Sequence, residues 1–114
     1  MNAEFQVEVR REGSAAVIAI SGELDLASGP QLEERLQTLD SDVRLVVVDL
    51  RRLDFMDSTG LSILVRAHQR LAERDRELCL VRGAPQVQRL LDLTGVAERV
   101  RLVEAPEELL SGRE

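Results

Sequence analysis

The sequence predicts an α/β fold: a mixed, mainly parallel sheet of about five strands with about four helices. Three observations point there. Short runs rich in Val, Ile and Leu recur along the chain. After the first two runs, segments with apolar residues at helical spacing alternate with them. The first two runs follow each other directly, which marks a hairpin and makes the first strand an antiparallel edge.

Phe5, Val7 and Val9 alternate with Glu4, Gln6, Glu8 and Arg10, the pattern of a strand with one wet face. Arg11-Glu12-Gly13 is the expected turn into a second, more buried strand from Ala15 to Ile20. Gly22-Glu23-Leu24-Asp25 is expected to be a loop. Leu32, Leu36 and Leu39 mark one face of a first helix, and Pro30 suits its first turn, where a missing N–H costs nothing. A third strand runs from Leu45 to about Leu50. The next helix carries its inward stripe on Leu61, Leu64, Val65, His68, Leu71 and Ala72. Leu78 to Val81 forms the fourth strand, followed by a helix opened by Gly83-Ala84-Pro85, with Val87, Leu90 and Leu91 inward and Gly95 as its stop. Val100, Leu102 and Val103 make a fifth strand, and Pro106 starts a short closing helix with Leu109 and Leu110. No repeat, linker or low-complexity run interrupts this order, so a single domain over residues 1–114 is expected.

Composition narrows the function. At 114 residues and 44% hydrophobic, the chain suits one core. No apolar run spans a bilayer, and Met1-Asn2-Ala3-Glu4 leads straight into a strand pattern, which points to a cytoplasmic protein without membrane insertion. All fifteen basic residues are arginine. Without lysine there is no phosphate-loop lysine, no Schiff base and no receiver-domain lysine. One histidine and one cysteine leave little for a transition-metal site, and no metal or cofactor is expected. Cys79, in an apolar strand, has the pattern of a small core residue. A net charge of −6 and the absence of Tyr and Trp argue against direct nucleic-acid binding.

In a parallel sheet the loops at the carboxyl ends of the strands gather on one side, where ligands and partners dock. Here those are residues 21–29, 51–58 and 82–85, so Asp25 and Ser58 should share a rim. Asp57-Ser58-Thr59-Gly60 stands where a strand's exit turns into a helix, a place for a modifiable serine or an anion. In a purely structural role, Ser58 would be the helix N-cap, Asp25 and Asp57 would bond loop amides, and Gly60 would permit close packing. As a phosphoacceptor, Ser58 would gain about −1.5 to −2 charges beside Asp57 and Asp25. The helix dipole would tolerate that anion while a docking surface would not. The stretch has a superficial likeness to the Asp-Thr-Gly turn of aspartic proteases, but it carries one residue too many on an α/β pattern. A triad of Ser58, His68 and an aspartate fails on distance, since ten helical residues separate the first two by about 15 Å.

The run Leu53-Asp54-Phe55-Met56-Asp57-Ser58-Thr59-Gly60-Leu61 resembles the signature of STAS domains, specifically bacterial anti-sigma factor antagonists. Gly22-Glu23-Leu24-Asp25 with Pro30 to Leu36 agrees, as do Val46-Val47-Val48-Asp49-Leu50 and Val87 to Leu93 followed by Thr94-Gly95-Val96. The resemblance covers nearly the whole chain in order. It implies a STAS-like fold and a protein that is not an enzyme. Such a protein binds an anti-sigma factor that is also a serine kinase, and so frees a sigma factor. The resemblance makes Ser58 the phosphorylation site, reversed by a metal-dependent protein phosphatase. It places Asp25, Met56, Asp57, Thr59, Gly60 and Leu61 at the partner-binding rim, with Thr59 a lesser candidate for modification. Single STAS domains also serve in lipid-transport ABC complexes, where the same rim would dock an ATPase.

Overall fold

The computed structural model describes residues 4–110; the chain start (1–3) and the last four residues (111–114) lie outside the described part. Its elements are β1 (Gln6–Glu12), β2 (Ala15–Leu24), α1 (Gly29–Gln37), β3 (Leu45–Met56), α2 (Ser58–Ala72), β4 (Glu77–Val81), α3 (Pro85–Leu93), β5 (Arg101–Val103) and α4 (Glu107–Leu110). A 3-10 turn, Val96–Glu98, links α3 to β5. The strands form one sheet in the order β1-β2-β3-β4-β5, with β1 antiparallel to β2 and every other neighbouring pair parallel. The mixed, mainly parallel α/β architecture expected from the alternation is therefore present.

Several boundaries differ from the sequence reading. The hairpin turn is Gly13-Ser14, because Glu12 pairs with Ala15, and Gly13 takes the positive φ of 60° that its turn needs. Gly22 to Leu24 belongs to β2 rather than to a loop, and β3 continues past Leu50 to Met56. Glycine and acidic residues suggested a break there, yet pairing of residues 21–24 with residues 52–56 supplies backbone partners that propensity alone does not foresee. The buried side of α2 is Gly60, Ile63, Leu64, Ala67 and Leu71. Leu61, Val65 and His68 are half-buried, and Ala72 is exposed. Gly60 and Ala67 let the helix lie close to the sheet, which turns the stripe towards them. In α3, Val87 and Leu91 are buried and Leu90 is half-buried. Gly95 follows the cap residue Thr94 with φ of 81°, the left-handed conformation that stops the helix.

The two sheet faces carry separate cores. Ile18, Ile20, Val46, Val48, Leu50 and Leu80 pack beneath α1, α2 and α3, which contribute Leu32, Leu64 and Leu91 among others. On the other face, Val17, Val47, Cys79, Val81 and Val103 are covered by Leu109 and Leu110 of α4. Cys79 is fully buried there. The described residues of α4, Glu107–Leu110, cover part of that face. Beyond it lies Asp49, only 7% exposed, chelated by Arg51: Nε donates to Oδ1 at 3.0 Å and a terminal nitrogen to Oδ2 at 2.7 Å.

Two outcomes follow for stability. Gly22 sits at φ of 89°, and a Cβ there would meet the Glu4 carbonyl oxygen at 2.7 Å. Gly22→Ala should therefore lower unfolding free energy by about 1–3 kcal/mol in a denaturant titration. Burial opposes ionisation of Asp49, but the Arg51 guanidinium and a backbone N–H outweigh it and hold the carboxyl below its ordinary value. A lowered folded pKa gives stability that is present above the ordinary carboxylate value of about 4 and fades as pH falls through the folded value. The stability gap between the native chain and Asp49→Asn should thus be larger at neutral pH than in acid.

Candidate functional site: the rim at the carboxyl ends of the central strands

Pairing of β2 with β3 ends at Leu24 opposite Met56, so the segments that follow leave the sheet side by side. The Asp57 backbone N–H then donates to the Leu24 carbonyl at 3.2 Å, tying the start of α2 to the end of β2. Gly60 lies directly above this junction. A Cβ on it would come within 2.7 Å of Leu24 Cγ and 2.9 Å of Met56 Cγ. The α1 start is seated the same way, with Gly29 against Ile63 of α2.

Asp25 organises the loop before α1. Its Oδ1 accepts from the Ala27 N–H at 3.0 Å and from the Ser28 N–H at 3.1 Å. Ser28 answers: its Oγ accepts from the Asp25 N–H at 2.9 Å and donates to the Glu23 carbonyl at 2.7 Å. Ser28 is buried, and the sequence reading passed it over. The signal was there in the Asp25-x-x-Ser28 spacing, which lets two short polar side chains satisfy each other's backbone amides.

The cap of α2 is Asp57, not Ser58. Asp57 Oδ1 accepts from Thr59 N–H at 2.9 Å and Gly60 N–H at 3.2 Å. Ser58 is the first helical residue, exposed, and its hydroxyl has no hydrogen-bond partner among the described residues. An acid in the preceding position is the better acceptor for first-turn amides, which leaves the hydroxyl to solvent. Thr59 and Leu61 are half-buried at the same helix start. Met56, 5% exposed, and the buried Gly60 lie beneath the surface and form its floor. The rim therefore brings Asp25, Asp57, Ser58, Thr59 and Leu61 together at one end of the sheet.

The chemistry open to this site is limited. An activated nucleophile needs a base in hydrogen-bond reach, and none touches Ser58 among the described residues. No group of three or more His, Cys, Asp or Glu placed to hold a metal occurs among them either. No helix of the described residues is long and apolar enough to cross a membrane. What remains is an exposed hydroxyl on a rigid acidic rim.

These elements, in this order and pairing, make a STAS fold. The structure of an anti-sigma factor antagonist from Mycobacterium paratuberculosis matches it with a TM-score of 0.88 at 25% identity, covering 99% of this chain and 98% of that one. The phosphorylated form of the Bacillus cell fate determinant SpoIIAA shares the fold, with a TM-score of 0.71 at 23% identity over 95% of this chain and 97% of that one. The chain belongs to the STAS domain family, whose family model matches residues 6–109. In sequence it is 30% identical to the anti-sigma-B factor antagonist of Staphylococcus aureus over 104 residues, 90% of this chain and 96% of that protein.

Because the Asp57 carboxylate caps the first turn, Asp57→Ala should cost about 1 kcal/mol of stability. It should also speed amide exchange at Thr59 and Gly60, with Asp57→Asn restoring most of both.

Proposed function

We propose that this protein is a non-catalytic, cytoplasmic anti-sigma factor antagonist, switched off by phosphorylation of Ser58. It binds an anti-sigma factor that is also a serine kinase and so releases a sigma factor; a protein phosphatase acting on Ser58 restores it. The exposed, unpartnered Ser58 hydroxyl carries this reading. Similarity over 90% of the chain to an anti-sigma-B factor antagonist supports it.

The rim's electrostatics give the switch its strength. A phosphate on Ser58 adds about −1.5 to −2 charges next to the Asp57 carboxylate. Asp57 already occupies the Thr59 and Gly60 amides, so the new anion finds fewer free N–H groups than a bare helix start would offer. Its charge stays on the surface, where Asp25 and Asp57 reinforce it. A partner that buries the rim would desolvate that charge without a counterion, which costs several kcal/mol. Asp25, Asp57, Thr59 and Leu61 supply the contact surface, while Met56 and Gly60 act from below by fixing its shape. The fold itself has no reason to change, because the Ser58 hydroxyl is exposed and holds no hydrogen bond among the described residues.

Titration of the anti-sigma factor kinase of the same bacterium with three forms of the protein tests this. Ser58→Ala should bind as tightly as the native chain and take up no phosphate from ATP. Ser58→Asp should keep its circular dichroism spectrum and bind at least about tenfold more weakly. Equal affinity of the charged and uncharged forms would overturn the switch.

A further inference from the structure

Among the described residues, α4 covers the second sheet face only in part, and the rest is concave and polar. It forms a hollow of about 490 Å³ lined by Arg10, Arg51, Arg52, Glu8, Gln6 and Ser21, among others. We propose that this hollow binds the oxyanion group of a small molecule, a phosphate or a carboxylate, between its guanidinium groups.

A bulge builds the site. Ala19 of β2 pairs with Asp49 of β3, but Ser21 pairs with Arg52, so β3 carries one more residue than β2 over this step. In a regular strand, consecutive side chains point to opposite faces. The extra residue breaks that rule: Leu50 and Leu53 both enter the core under the helices, while Arg51 and Arg52 both line the hollow. Without the bulge, one of the two arginines would be driven into the apolar core. Bulges re-aim side chains in this way next to binding sites.

The pairing of charges at the hollow is uneven. Three arginines and two carboxylates, Glu8 and Asp49, line it, and Glu107 of α4 acts on Arg51 from outside. Arg51 is committed to Asp49, and Arg10 reaches Glu12 at 3.6 Å in an exposed pair that holds it weakly. Arg52 has no carboxylate or hydrogen-bond partner among the described residues. The Ser21 hydroxyl and the Gln6 amide likewise donate to no described group. In a chain of net charge −6, a hollow with the unpaired Arg52 guanidinium and spare donors favours an anion. Its volume falls in the range of small-molecule pockets, about 300–1,000 Å³.

Isothermal titration of the full chain with pyrophosphate and with citrate, at ionic strength matched by sodium chloride, tests the site and tells phosphate from carboxylate ligands. Binding of either is expected in the native chain. It should weaken about tenfold or more in Arg52→Gln and in Arg10→Gln, and persist in Arg89→Gln, an exposed arginine on α3. Arg52 has no structural partner, so its variant should fold, with circular dichroism as the check. Failure of both anions to bind, or equal binding by Arg52→Gln, overturns the proposal. Neither outcome bears on the Ser58 switch.

Discussion

Everything at the rim depends on the seat of Gly60 against Leu24 and Met56. A hydrogen atom in place of a side chain lets α2 begin directly on top of the last β2–β3 pair. The Asp57 N–H bond to Leu24 is possible only at that closeness. Through it the Asp25 loop and the α2 start become one surface rather than two independent loops. Gly29 repeats the device between α1 and α2, so the rim is braced on both sides. Loops that carry function on a rigid scaffold gain their precision from such bracing.

Within that surface, neighbouring residues have distinct tasks. Asp57 spends its carboxylate on helix amides, and Asp25 spends its own on the Ala27 and Ser28 amides. Both are structural first, in keeping with the plainest reading of loop carboxylates. Their charges nonetheless remain near the surface, where they set the potential around Ser58. The serine hydroxyl makes no hydrogen bond among the described residues, which is what the proposed reversible modification requires. A residue whose hydroxyl capped the helix would lose that bond on modification and disturb the fold it sat in.

The sheet's far face follows a different logic. Parallel sheets are ordinarily covered on both sides. Here, among the described residues, α4 covers one part, and the remainder is made compatible with water by Asp49, Arg51, Arg52 and Ser21. The bulge in β3 is what allows two successive arginines to stay out of the core. One irregularity thus keeps Leu50 and Leu53 inside and gathers positive charge outside.

The order of elements was legible in the sequence because apolar periodicity reports directly on which side of a strand or helix meets the core. The motif around Ser58 was legible too, since its residue types and spacing are local. Element ends were less so. Gly22 to Leu24 and Arg51 to Met56 have loop-like composition, and only pairing with each other makes them strands. The choice of Asp57 over Ser58 as the cap, and the bond between Asp25 and Ser28, turn on backbone angles of a single turn. Composition and periodicity determined the class of fold and the place of the serine. Tertiary contact alone decided where the strands stop, which carboxylate caps, and that the hydroxyl is left free, because each depends on which backbone groups distant segments bring within hydrogen-bond reach.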